Sequence, residues 1–188
     1  MKFAKGFFLA ALMIFTSQFA HATAGPWIMH DAFKLRAYDG TGINLTANTI
    51  KMVLVTSASN FGTTSVNNYA SLTNELSTAN GYTNGGAVVS VTWSGTSTVT
   101  FATSGSTVWT ASGGSIVARA ACIYNNTDTN KTVIACSLLD STPADVTVTS
   151  GNTLTISAGT IMTLAATERL FNYTLASNDH TYLVLRRA

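Results

Sequence analysis

Residues 112–139, SGGSIVARAACIYNNTDTNKTVIACSLL, decide how this chain is read. Two runs rich in β-branched and small apolar residues, Ile116–Tyr124 and Thr132–Leu139, flank a polar stretch at Asn125–Asn130. Val, Ile and Tyr suit a pleated, half-buried surface, whereas Asn and Asp bond their own backbone in turns. The pattern predicts a β-hairpin, opened on its N-terminal side by Ser112-Gly113-Gly114-Ser115. Cys122 shares a parity with Ile116, Ala118, Ala120 and Tyr124, and Cys136 shares it with Ile134 and Leu138. Regular pairing around the turn puts both cysteines on one face, about one diagonal pair apart. Direct pairing is what disulfide geometry requires, so two buried free thiols are expected.

The flanking sequence has the same texture. Ile50–Ser57 (IKMVLVTS) is apolar at both parities and reads as a central strand. Ala87–Trp93 alternates, and Thr98–Thr103, Thr107–Thr110, Asp145–Thr149 and Thr153–Ser157 are short runs separated by Gly, Ser and Asn. Strands at such spacing predict an all-β fold, an antiparallel β-sandwich or jelly-roll-like domain. Trp93 and Trp109 sit in alternating segments and read as core. Phe61–Leu76 is polar and irregular, with one helical turn around Tyr69–Leu76. One short amphipathic helix is expected near His30–Tyr38, with Ile28, Asp31, Ala32, Leu35 and Ala37 on one side and Lys34 and Arg36 outward. It should end at Asp39-Gly40.

Composition narrows the function. The chain of 188 residues is 46% hydrophobic but only 10% charged, so its polar faces are hydroxyl and amide faces. Such surfaces suit packing against neighbours in an assembly, and secreted adhesins share them. The formal charge is +2; without Lys2 and Lys5 of the N-terminal leader, eight basic residues face eight acidic ones. That balance leaves no nucleic-acid footprint.

Three regions follow from this reading: residues 1–24, a β domain over 25–164, and a C-terminal extension over 165–188. In the first, Lys2 and Lys5 precede an apolar run and A-x-A-like ends at Ala20–Ala24. That is the pattern of a cleavable signal peptide, and a retained apolar arm is the alternative.

A general acid–base pair needs carboxylates held together. Asp39, Asp128, Asp140, Asp145 and Asp179 fall in turns, where aspartate usually bonds its own backbone. His21, His30 and His180 are dispersed, no G-x-S-x-G elbow occurs, and GYTNGG (81–86) lacks the strand-to-helix context of a phosphate loop. The cysteines form neither CxxC nor a metal-ligand set. No catalytic residue, cofactor, metal or small-molecule substrate is expected, and the chain reads as non-enzymatic. The residues expected to make inter-subunit contacts are Trp27, beside Pro26 at the domain edge, and Phe171, Tyr173 and Tyr182 in the tail. Arg119, a single charge in an apolar strand, should pair at an interface or with a turn carboxylate.

Three segments occur in order: AFKLRAYDGTGINLTANTIKMVLVTS (32–57), LTNELSTANGYTNGGAVV (72–89) and VWTASGGSIVARAACIYNNTDTNKTVIACSLLD (108–140). Together they resemble a family of small virion structural proteins of tailed bacteriophages, over roughly residues 30–164. The resemblance implies a non-enzymatic particle component located in the virion. Its partners would be the major capsid protein, other virion subunits and copies of itself. A capsid decoration or cement subunit is the first expectation. A tail-tip or fibre receptor-binding module, or a secreted adhesin if the leader is cleaved, is the alternative.

Overall fold

The computed structural model describes residues 24–38, 44–45, 47–142 and 144–165. Strand β1 (Ile28–Met29) is followed by helix α1 (Asp31–Tyr38), then β2 (Ile50–Val55), β3 (Ala87–Val89), β4 (Val91–Ser94) and β5 (Thr98–Thr103). There follow β6 (Thr107–Thr110), β7 (Ile116–Ala118), β8 (Ala120–Asn125) and β9 (Val133–Leu138). The last three are β10 (Val146–Val148), β11 (Thr153–Ile156) and β12 (Thr160–Ala165). The fold is all-β and sandwich-like with one short helix, as the strand spacing predicts.

A five-stranded antiparallel sheet, ordered β1-β9-β8-β2-β3, forms the centre. Its two faces are both buried, which follows from the apolar residues at both parities of β2 and β8. Ile50, Met52, Leu54, Ala121 and Ile123 point into the main core. That core is closed by Phe101, Trp109, Ile116, Val148, Leu154 and others from the smaller sheets β12-β5-β4, β10-β7 and β11-β6. Val53, Val55, Ala120, Cys122 and Tyr124 point the opposite way, into a second cluster with Val66 and Leu72. The irregular segment 56–86 covers that second face, with its single helical turn at Tyr69–Ser71.

Four expectations are corrected. The two cysteines are not free: Cys122 and Cys136 form a disulfide between directly opposite residues of β8 and β9. The cause is a β-bulge. Tyr124 pairs with Val133 but Ile123 pairs with Ala135, so Ile134 is an extra residue that moves Cys136 into register with Cys122. The run Ala87–Trp93 is two strands in different sheets, and Ile116–Tyr124 is broken at Arg119 into β7 and β8. Trp109 is core, 5% exposed, whereas Trp93 on the edge strand β4 is 42% exposed and leans on Phe101.

The helix face is the fourth. Pairing of β1 with β9 delays the helix to Asp31, and Phe33 turns inward to stack on Phe101, centroids 6.5 Å apart. Leu35 is consequently 69% exposed. Arg36 turns toward the β8–β9 turn rather than outward, where it pairs with Asp128 and donates to Thr132 Oγ1 at 2.7 Å. His30 precedes the helix, fully buried, with Nδ1 2.8 Å from the Val66 carbonyl oxygen. Asp39-Gly40 lies outside the described residues.

Candidate functional site

A groove of about 1000 Å³ runs between the N-terminal segment Ala24–Trp27 and the last three strands. Consecutive residues of β10 (146–148) and β11 (153–156) all border it. Alternate side chains of a strand point to opposite faces, so a strand borders a space with every residue only by presenting its edge. Among the described residues β10 is hydrogen-bonded to β7 alone, β11 to β6 alone and β12 to β5 alone. The groove is thus walled by the edges of β10 and β11, each with one neighbour, and β12 reaches it with Thr160 and Ile161. Its lining mixes Thr147, Thr153 and Thr155 with Leu138, Leu154 and Ile161.

Trp27 lies on this wall, half-buried, with one side packed against the main core. Next to it, Gly25 N–H donates to the Leu138 carbonyl at 2.9 Å, and Ser137 Oγ donates to the Gly25 carbonyl at 2.7 Å. Those bonds fix the N-terminal segment along β9. Arg119 is not at the groove. It donates to the carbonyl oxygens of Thr142 (3.2 Å) and Ala144, holding the loop between Leu139 and Val146, both of which line the groove. Its charge also helps, behind the hydrogen bonds from the Thr142 backbone N–H and side chain, to keep the Asp140 carboxyl below its usual range. Phe171, Tyr173 and Tyr182 lie outside the described residues.

One cluster escaped the sequence reading. Glu75 accepts hydrogen bonds from the Tyr69 hydroxyl, the Tyr82 hydroxyl (2.5 Å) and Gly85 N–H (2.7 Å). The Tyr82 hydroxyl also accepts from Leu54 N–H at 3.2 Å, and the Tyr124 hydroxyl donates to the Gly85 carbonyl at 3.0 Å. Tyr69 stacks on Tyr124, centroids 4.5 Å apart and nearly parallel. Burial first, and then the hydrogen bonds to Glu75, push the Tyr69 and Tyr82 phenols well above their ordinary range. Burial and the Glu75 charge push Tyr124 up to about 12. Three neutral phenols around one carboxylate cannot supply a phenolate nucleophile near neutral pH. The cluster instead clamps segment 69–86 to the central sheet. Glu75 is the only carboxylate between Asp39 and Asp128, which was its one sequence signal.

The tight turn after Tyr82 completes the clamp. Gly86 has φ +70°, and a Cβ there would sit 2.0 Å from the Met52 carbonyl oxygen, so only glycine fits. Among the described residues no three His, Cys, Asp or Glu side chains are grouped to hold a metal ion. Comparison with protein-family models, curated proteins and solved structures finds no match to this chain.

Two of the turn aspartates, Asp128 and Asp140, bond their own turn backbone as expected, Asp145 accepts instead from Ser57 Oγ, and Asp39 and Asp179 lie outside the described residues. Asp128 accepts from Asn130 N–H and Thr132 N–H, both at 3.3 Å, and Asp140 accepts from Thr142 N–H at 3.0 Å. Burial raises Asp128, but the Thr132 hydroxyl, the Asn130 N–H and Arg36 outweigh it and hold the carboxyl below its usual range.

Proposed function

We propose that the chain is a non-catalytic structural subunit of a tailed-phage particle, a capsid decoration or cement protein acting through contacts between subunits. The observation that carries this reading is the groove walled by the edges of β10 and β11. Unpaired strand edges invite added strands, and monomeric proteins usually blunt or cover them. Val88, Val108 and Val117, on strands β3, β6 and β7, are 65%, 50% and 41% exposed, which adds apolar contact area on the same kind of element. The hydroxyl-rich surface and the ordered motifs at 32–57, 72–89 and 108–140 support the same reading. Partners would be the major capsid protein, other virion subunits and further copies of this chain. The test is mass spectrometry and particle imaging of purified virions from a lysate encoding the gene. Stoichiometric presence on the capsid supports the proposal; absence from particles rejects it, and density at the tail tip moves the role to receptor binding.

A second reading is favoured by one observation, the buried Cys122–Cys136 disulfide. Disulfides persist in oxidising compartments, and the chain opens with a signal-peptide-like segment. Both features suit an exported binding module such as an adhesin. Intact-mass measurement of the mature protein separates the two: loss of about residues 1–24 favours export, and retention favours assembly in the cytoplasm.

A further inference from the structure

We propose that the groove receives the C-terminal segment of a second copy of this chain, with Tyr182–Leu185 added as a strand along an unpaired edge. The inference deepens the assembly reading and rests on it. Its first ground is the wall itself: whole strands border the groove edge-on, and backbone groups on that edge lack a neighbouring strand among the described residues. An extended peptide satisfies such groups through main-chain hydrogen bonds and places alternate side chains into apolar pockets. Trp27, Leu138, Leu154 and Ile161 supply those pockets.

The second ground is charge. The apolar run is followed directly by Arg186-Arg187. Leu139 and Val146 line the groove, and next to them stand Asp140 and Asp145. Neither carboxylate is in an ion pair among the described residues; Asp145 receives only Ser57 Oγ, at 3.4 Å. A strand laid in the groove with its C-terminal end toward Leu139 and Val146 would bring the two arginines near these two aspartates.

The third ground is reach, which puts a second copy within range of the tail. Residues 166–181, sixteen in number, separate the end of β12 from Tyr182. At about 3.3 Å per residue they span up to about 50 Å. A domain of this length has a radius of gyration of about 14 Å. The run can therefore reach past its own domain to a neighbour.

The test uses full-length protein. A photo-crosslinking residue replaces Val184 in protein made as an equal mixture of ordinary and nitrogen-15-labelled chains. Crosslinks from position 184 to residues 146–161 that join one light and one heavy chain are the expected result. Crosslinks confined to single chains would show that the own tail fills the groove, and crosslinks elsewhere would remove the groove as receptor; either overturns the proposal. In parallel, L183D and D145K should each raise the self-association constant for dissociation at least tenfold by sedimentation, with unchanged melting of the domain. A D145K/R187D charge exchange should recover most of the D145K loss. Because these measurements use purified protein, strand exchange can fail while the protein is still found on particles, and it can stand if the protein is absent from them.

Discussion

Cys136 stands directly across from Cys122, with their Cα atoms 4.1 Å apart, because Ile134 is an extra residue in β9. The bond joins two central strands of the same sheet beneath the segment that carries Phe61 and Tyr69, and both sulfurs are inaccessible to solvent-borne reductant. Closing a loop of 14 residues removes denatured-state entropy worth about 3 kcal/mol. Thiol titration of denatured, unreduced protein should count no free thiol. Replacing both cysteines by alanine should lower stability by about 3 kcal/mol in denaturant unfolding. Finding two free thiols would remove the staple.

Glu75 ties Tyr69, Tyr82 and Gly85 together, and through Tyr82 it reaches the backbone of Leu54. Hydrogen bonds to a charged group contribute about 1.5–3 kcal/mol each, so E75Q should cost about 2–3 kcal/mol in all after partial retention by the amide. The discriminating measurement is hydrogen exchange. Amides within 69–86 should exchange faster in E75Q, while β8 and β9 keep their protection. Uniform loss of protection would instead mean that the clamp is part of the global core.

The legibility of this chain divides along one physical line. Periodicity and turn chemistry revealed what depends on nearest neighbours along the chain, such as the buried strand Ile50–Val55 and the aspartate turns at 128 and 140. It could not reveal the bulge at Ile134, since one added residue changes the register without changing the apolar pattern. That single residue turned two expected thiols into a disulfide. The helix face failed for a related reason: Phe33 against Phe101 is a contact across 68 positions, and it overrides local amphipathicity. The groove was equally hidden, because it is made of strand edges that only topology brings together. Trp27 was picked out by its place near a terminus, and it does border that groove; Arg119 instead bonds turn carbonyls behind it.

Asp128 predicts an acid limb. Its folded-state pKa lies below the ordinary carboxylate value, so its contribution is present above that ordinary value and is lost as pH falls through the depressed one. The Asp128 side chain is only 8% exposed. Stability measured by denaturant unfolding between about pH 6 and about pH 2 should therefore decline, and D128N should show a shallower decline. The variant should also be less stable by about 1.5–3 kcal/mol at neutral pH, since the Arg36 guanidinium and the turn N–H groups lose their charged acceptor. An unchanged slope would mean that other carboxylates dominate the acid limb.

Trp27 and Trp109 separate the groove from the core. Trp109 is 5% exposed inside the main core, and W109A should cost about 3–5 kcal/mol of domain stability. Trp27 packs on that core by one side only and gives its other side to the groove. Its removal should therefore divide between two readouts. Domain stability should fall by less than half of the W109A loss, because part of the ring is not enclosed by the protein's own atoms. Association of full-length protein should weaken about thirtyfold, the effect of losing an aromatic anchor worth about 2 kcal/mol. W27F should recover much of both, since a ring still covers the wall beside Leu138. If W27A melts as low as W109A and associates normally, Trp27 belongs wholly to the core. The groove's recognition would then rest on the strand edges and on Asp140 and Asp145 alone.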